Sequence, residues 1–179
     1  MKFCNAFILI VLLAASCQPK AKTSVIDNPT SGFSPSPADS MIGAASLQDL
    51  GNYLFLSLKG DITFYELQRF FPDSAAIALM YELTHTSTKD ADVAAIADTA
   101  LNQLLTGWTR TQREATQVGE NWTDAKLIRI RIQEMDNQVL PGRKITIECQ
   151  SGKETLRASA KCLKIGDRWY IGEDIKFGV

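Results

Sequence analysis

The chain has 179 residues, with 19 Lys and Arg against 20 Asp and Glu, and a net charge of -1 at pH 7. This length suits one domain with a substantial core, and the charge balance gives no reason to expect a nucleic acid partner. A single histidine and widely spaced cysteines exclude a zinc or iron site of ordinary spacing. No phosphate-binding glycine loop occurs, so no catalytic residue, cofactor or metal site is predicted.

The first sixteen residues are typical of a secretory signal peptide. Lys2 precedes an apolar run of about 13 residues, which is shorter than the roughly 20 needed to span a bilayer. The string Leu13-Ala14-Ala15-Ser16-Cys17 then resembles the lipobox of bacterial lipoproteins, with the leucine one place earlier than usual. The resemblance implies acylation of Cys17, by palmitate for example, and Gln18 after it implies the outer membrane, facing the periplasm. The alternative is an ordinary signal peptide cut after Ser16.

Residues 17–42 are predicted to be the lipidated cysteine and a flexible tether. Four of the six prolines lie there among polar residues. Such a segment buries too little apolar surface to offset its ordering entropy. The predicted organisation is therefore a signal peptide at 1–16, the tether at 17–42 and a single domain at 43–179.

Four helices are predicted at the start of this domain, each from a polar cap followed by apolar residues at helical spacing. The first opens with Ser46 and Asp49 and stops at Gly60. The caps and ends of the other three are Thr63 with Glu66 ending at Pro72, Asp73 ending near Thr84, and Asp90 or Asp92 ending before Gly119.

After Gly119 the apolar period changes from 3.6 to 2, which predicts strands. The alternating runs begin near Ile128, Ile145, Leu156 and Arg168, with turns at Ser151-Gly152 and Gly166-Asp167. The predicted fold is α+β, with N-terminal helices packed on one face of a four-stranded, bent antiparallel sheet.

The predicted register of the second and third strands places Cys149 opposite Glu154. Cys162 would then lie about eight residues further along the strand, or near 26 Å at about 3.3 Å per residue. This distance is far beyond the Cα limit of about 7 Å for a disulfide. Both cysteines are therefore expected to be free and buried.

Helices followed by a bent sheet that ends in Gly166-Asp167-Arg168-Trp169-Tyr170 resemble the nuclear-transport-factor-2-like fold. The strings Phe70-Phe71-Pro72-Asp73 and Glu120-Asn121-Trp122 are similar to those of uncharacterised bacterial lipoproteins of that shape. The resemblance covers roughly residues 46 to 175, and a cystatin-like arrangement remains open. It implies a cone-shaped domain with room for a pocket, and no particular chemistry.

Most residues that could carry chemistry have a structural explanation. His85 lies in a polar break and is expected to be a solvated loop residue. The acids Asp61, Asp73, Asp90 and Asp92 lie at predicted helix starts, where capping accounts for them. The three tryptophans fit core positions better than a ligand pocket; they are Trp108, Trp122 and Trp169.

One surface feature is more informative. Alternation places five basic residues on the outward face of the sheet, with Glu148 among them: Arg129, Arg131, Lys144, Arg157 and Lys161. The pattern favours a solvated face whose charges protect the sheet from aggregation; the alternative is a binding surface for an anionic partner, such as lipid headgroups or an acidic protein surface. The leading hypothesis is a membrane-anchored, non-enzymatic module that binds a small apolar ligand or a protein. The alternative is a small cone-fold enzyme of the isomerase or cyclase type with a hydrophobic substrate.

Overall fold

The computed structural model describes residues 22–27, 43–86, 90–135 and 139–178. The signal peptide and Cys17 therefore lie outside the described residues. The fold is α+β, as predicted. Its elements in chain order are β1 (Thr23–Asp27), α1 (Leu47–Lys59), α2 (Phe64–Gln68), α3 (Ser74–Leu83), α4 (Asp90–Gln117), β2 (Lys126–Glu134), β3 (Gly142–Ser151), β4 (Glu154–Ile165) and β5 (Arg168–Gly178).

Within the described residues the sheet has five antiparallel strands in the order β1-β2-β3-β4-β5, so the prediction of four strands is one short. The additional strand, β1, comes from the segment predicted to be a flexible tether, and that prediction is wrong for Thr23–Asp27. Ile26 faces Ile130 on β2 and packs against the core. The tether prediction counted buried side chains alone, whereas an edge strand also gains backbone hydrogen bonds from its neighbour.

The caps of the first three helices agree with the sequence patterns. Ser46 Oγ accepts a 3.0 Å hydrogen bond from the backbone N–H of Asp49, at the start of α1. Thr63 and Glu66 form the predicted capping box of α2, and Asp73 caps α3. In the part of the chain that the structure describes, no helix is both long enough and apolar enough to cross a membrane.

The main core lies between α1, α2, α4 and one face of the sheet, and a second, smaller cluster joins Ala76 of α3 to Ile165 and Tyr170. The centre of the main core consists of aliphatic side chains with no solvent exposure, among them Leu50, Leu54, Ile130, Ile147, Leu156 and Ile171. Trp122 is also buried there, and its indole N–H donates to the Thr111 carbonyl at 3.3 Å. Trp108 and Trp169 pack against the same cluster, so all three tryptophans occupy the core positions predicted for them.

Helix α4 lies against β5, which forms one edge of the sheet. A Cβ on Gly107 would come within 2.8 Å of the Ile175 carbonyl oxygen, so only a glycine permits this approach. Thr111 Oγ1 donates to the same carbonyl at 3.4 Å. The helix therefore covers one sheet edge, and β1 forms the other.

The β3–β4 hairpin turns at Gly152-Lys153, because Ser151 still pairs with Glu154. The predicted register is therefore wrong by two residues, and Cys149 faces Leu156 instead of Glu154. Ser151 stays in the strand because its hydroxyl donates to the Glu120 carboxylate at 2.6 Å. The conclusion drawn from that register still holds, since Cys149 and Cys162 are free and buried.

Candidate functional site

The five basic residues predicted to share a sheet face do share it. Arg129 pairs with Glu148 and Glu148 with Arg157 across three neighbouring strands, while Lys144 pairs with Lys161. Arg131 lies two residues beyond Arg129 on β2, and directly opposed residues point to the same side of a sheet. The outer face is defined here as the side that carries Arg129, Arg131, Lys144, Glu148, Arg157 and Lys161; α1 packs on the other side.

Glu148 is the centre of the outer face. Its carboxylate lies 2.9 Å from Arg131 Nε, 3.2 Å from Arg129 Nε and 3.2 Å from Arg157 Nε. The Glu148 side chain is only 8% exposed, whereas the three arginine side chains remain 38–45% exposed. One carboxylate thus neutralises one of three guanidinium charges, and the arginines keep much of their surface open to solvent.

The arginines also keep Glu148 ionised. Burial by itself raises the pKa of this carboxyl, because a charge is costly to remove from water. The hydrogen bonds and positive charges of Arg131 and Arg157 outweigh that effect, so the pKa of Glu148 lies below its ordinary value of 4.5. Glu148 therefore stays ionised at neutral pH.

Further charges extend the outer face on both sides. Asp27 lies 3.9 Å from Arg129, and Lys161 makes a 2.8 Å ion pair with Glu173. Lys126 and Lys176 share this side, because they pair with Gln150 and Ser159. Among the described side chains, seven basic and three acidic groups leave an excess of about four positive charges. Such a surface attracts anions.

The sequence alone did not identify every member of the outer face. The alternation in β5, followed to the strand end, would have added Lys176. Lys126 could not be added in this way, because the irregularity between Leu127 and Arg129 reverses the alternation at the start of β2. The role of Glu148 gave no sequence signal, because its burial depends on arginines from both neighbouring strands.

The residues that could carry chemistry belong to different parts of the chain. His85 is exposed in the turn after α3. Asp61 was predicted to lie at a helix start, but Thr63 caps that helix and Asp61 pairs with Lys59 at 2.7 Å. Because α4 begins at Asp90, Asp92 lies inside the helix instead of capping it. No group of three or more potential metal ligands occurs within the described ranges.

The buried thiols do not resemble an activated nucleophile. Burial raises the pKa of Cys149 and of Cys162 well above the ordinary value, so both stay protonated at neutral pH. A protonated thiol is a poor nucleophile and packs as a small hydrophobe. The chemistry of these two residues is therefore that of core side chains.

A groove of about 570 Å³ runs between α4 and β5. Its walls are hydroxyl and amide side chains of α4, with Arg110 and Glu173 at its border; the other lining residues are Thr99, Asn102, Gln103, Thr106 and Gly107. The polar groups in this groove come mainly from side chains of α4.

Comparisons with known proteins give no relative from which a role could be transferred. No protein-family model, no curated protein and no solved structure matches the chain.

Proposed function

We propose that this protein is a lipoprotein of the bacterial cell envelope, acylated on Cys17 and held at the periplasmic side of the outer membrane. Its folded domain is a non-enzymatic binding module, and the outer face takes an anionic partner. The observation that carries the binding role is the imbalance at Glu148, where one carboxylate serves three guanidinium groups.

The geometry of the three arginines supports this role. A guanidinium is a planar fork of N–H donors that fits the paired oxygens of a carboxylate or phosphate. Glu148 already holds Arg129, Arg131 and Arg157 within 3.2 Å, so little side-chain entropy remains to be lost on binding. Their exposed remainder is thus a preorganised anion-binding surface.

The interior of the domain supports a binding module in preference to an enzyme. The side of the sheet that faces α1 is filled with aliphatic side chains such as Ile145, Ile147 and Leu156, which have no exposure. A general acid or base needs a carboxyl or imidazole next to a space for substrate. Glu148, the buried acid among the described residues, is engaged by arginines on the opposite side.

For the finer fold, we propose the nuclear-transport-factor-2-like arrangement, with the cystatin-like arrangement as the alternative. The order of helices before a meander of β2 to β5 supports it. The hairpin that turns at Gly166-Asp167 supports it as well, because Ile165 pairs with Arg168 there. An experimental structure superposed on both folds would decide between them.

The anchor is tested at the N-terminus of the mature protein. Mass spectrometry should find an acylated Cys17, and a Cys17→Ser variant should leave uncut precursor and lose stable membrane attachment. Two or more acyl chains anchor a protein durably, at about 0.8 kcal/mol per buried methylene. A mature chain that starts at an unmodified Cys17 would refute the anchor.

The binding role is tested with a soluble polyanion, dextran sulfate, as the probe. The wild type should bind it, and Lys144→Gln/Lys161→Gln should weaken binding about tenfold at low salt. The matched control is Lys59→Gln/Arg113→Gln, which also removes two positive charges, one of them from an ion pair with a neighbouring acid. Equal loss in both variants would show that binding is not specific to the outer face.

A further inference from the structure

The strand β1 lies very close in sequence to the proposed lipid attachment. Six peptide steps separate Cys17 from Thr23, the first residue of β1. A fully extended chain covers at most about 3.6 Å per residue, so Thr23 cannot be more than about 22 Å from Cys17. The short distance matters because β1 is an integral strand of the sheet, so the anchor restrains the sheet itself.

The outer face lies within the same distance. Five strands at a spacing of about 4.8 Å span about 19 Å from β1 to β5. Thr23 lies on the row of the sheet that continues through Gln133 and Lys144 to Lys161. Two of the basic residues are therefore on the row where the chain enters from the anchor.

The charge of the protein is distributed so that a membrane would orient it. Removal of residues 1–16 takes away Lys2 and leaves a net charge of about -2. Among the described side chains, the outer face has an excess of about four positive charges; with a net charge of about -2 for the mature chain, this leaves about six negative charges elsewhere. A negatively charged surface attracts one side of such a molecule and repels the other.

We propose that the anionic partner of the outer face is the layer of phospholipid headgroups in which the protein is anchored, and that the domain rests with this face on the membrane. The inference deepens the proposed function, on which it rests. A short anchor keeps the headgroups permanently within reach, and this raises their effective concentration above that of an acidic protein free in solution. The phosphates of anionic lipids then meet the exposed guanidinium groups of Arg129, Arg131 and Arg157.

The test measures which side of the domain lies against the membrane. The lipidated protein is incorporated into vesicles that contain phosphatidylglycerol and a headgroup-linked fluorescence acceptor. A donor dye is attached to Ser159→Cys on the outer face, or to Tyr65→Cys on α2. Ser159 lies three strands from β1, so its position does not merely report the anchor, and Tyr65 is 82% exposed on the helical side. The buried Cys149 and Cys162 leave the engineered thiol as the labelling site.

We expect energy transfer from Ser159→Cys to exceed that from Tyr65→Cys by about threefold. The difference should disappear at 1 M salt, where the screening length falls to about 3 Å, and in vesicles of phosphatidylcholine alone. The double substitution Lys144→Gln/Lys161→Gln should reduce it, whereas Lys59→Gln/Arg113→Gln should not. The comparison of lipids keeps Lys144 and Lys161, so it stays informative if the Lys144→Gln/Lys161→Gln variant folds poorly.

Equal energy transfer from the two dye positions would overturn the inference. A difference in energy transfer that does not depend on lipid charge or on salt would overturn it as well. The experimental outcomes distinguish a failure of this inference from a failure of the proposed function. If dextran sulfate binds the outer face and Cys17 is acylated, but the Ser159→Cys dye stays away from the vesicle, the module is anchored and binds another anion. If Cys17 carries no lipid in the same sample, the anchor itself is refuted.

Discussion

The guanidinium of Arg131 lies 2.9 Å from the carboxylate of Glu148, although the two residues are not opposite each other in the sheet. Arg131 faces Thr146, and Glu148 faces Arg129. The Arg131 side chain therefore extends diagonally across the β2–β3 pair, and Glu148 forms ion pairs with arginines from two rows of the sheet. One carboxylate is therefore the shared counter-charge of three guanidinium groups.

Replacement of that carboxylate should destabilise the domain. Glu148→Gln leaves three guanidinium groups close together without a counter-charge, at a cost of about 1–3 kcal/mol; the arginines' solvent exposure keeps the loss below that for a fully buried pair. The matched control is Glu154→Gln, an exposed position at the start of β4, where we expect a change within about 0.5 kcal/mol. Urea unfolding followed by circular dichroism measures both. Identical midpoints for Glu148→Gln and wild type would contradict the prediction.

The contribution of Glu148 should also depend on pH. Its pKa is lower in the folded chain than the ordinary value of 4.5. A carboxyl with a lowered pKa stabilises the fold fully above its unfolded pKa, and the effect disappears as pH falls through the folded pKa. The stability difference between wild type and Glu148→Gln should thus be constant from pH 8 to 6 and shrink below about pH 4.5. Unfolding free energies measured from pH 8 to 3 test this. A stability difference between wild type and Glu148→Gln that grows on acidification would contradict the prediction.

The strand β1 should contribute to stability through its inward side. Ile26→Ser removes a half-buried side chain next to Ile130, and we expect a loss of about 1–2 kcal/mol. Val25→Ser makes a similar change on the same strand, but Val25 is 44% exposed and should tolerate it within about 0.5 kcal/mol. Thermal unfolding of the two variants compares them. Equal, small shifts would indicate that β1 is not docked in solution.

Gly107 should resist a substitution that usually stabilises helices. Alanine is about 1 kcal/mol better than glycine inside a helix. At Gly107, however, the added Cβ would lie 2.8 Å from the Ile175 carbonyl oxygen, so α4 must move away from β5. We expect Gly107→Ala to cost about 1–3 kcal/mol and the exposed neighbour Thr106→Ala to cost less than about 0.5 kcal/mol. A raised melting temperature for Gly107→Ala would mean that the helix is farther from the strand.

The two buried thiols should be unreactive in the folded protein. Burial raises the pKa of Cys149 and Cys162 and blocks access, so neither should be alkylated by iodoacetamide at pH 8 until denaturant is added. Ser159→Cys provides a control thiol on the same strand as Cys162 but on the outer face, and should react without denaturant. Mass spectrometry counts the labels. Rapid native labelling of Cys149 or Cys162 would show that the core opens there.

Local signals in the sequence predicted much of this fold. The capping residues Ser46, Thr63 and Asp73 act within their own helices, and strand alternation depends on neighbouring residues, so both can be read directly. Two of the failures involve distant partners. The strand β1 pairs with residues about 100 positions later, and the hairpin register shifts because Ser151 contacts Glu120.

The candidate site was also predictable only where it depends on local sequence signals. Alternation brought the five basic residues to one side, since that requires only a period of two. The burial of Glu148 among three arginines depends on how three strands align, and no single segment encodes that alignment. The sequence therefore predicted the sign of the surface but not the carboxylate that organises it.

The position of β1 gives the proposed lipoprotein two possible lengths of chain between the lipid and the folded domain. While β1 is paired with β2, only the six steps from Cys17 to Thr23 link the lipid to the folded domain. If β1 detached, the connection would run from Cys17 to Gly43, where the described part of the domain resumes, and its maximum length would rise from about 22 Å to about 94 Å. A pull on the domain would therefore load the short β1–β2 ladder first. Its rupture would release the domain outward into the envelope while the lipid stays in place.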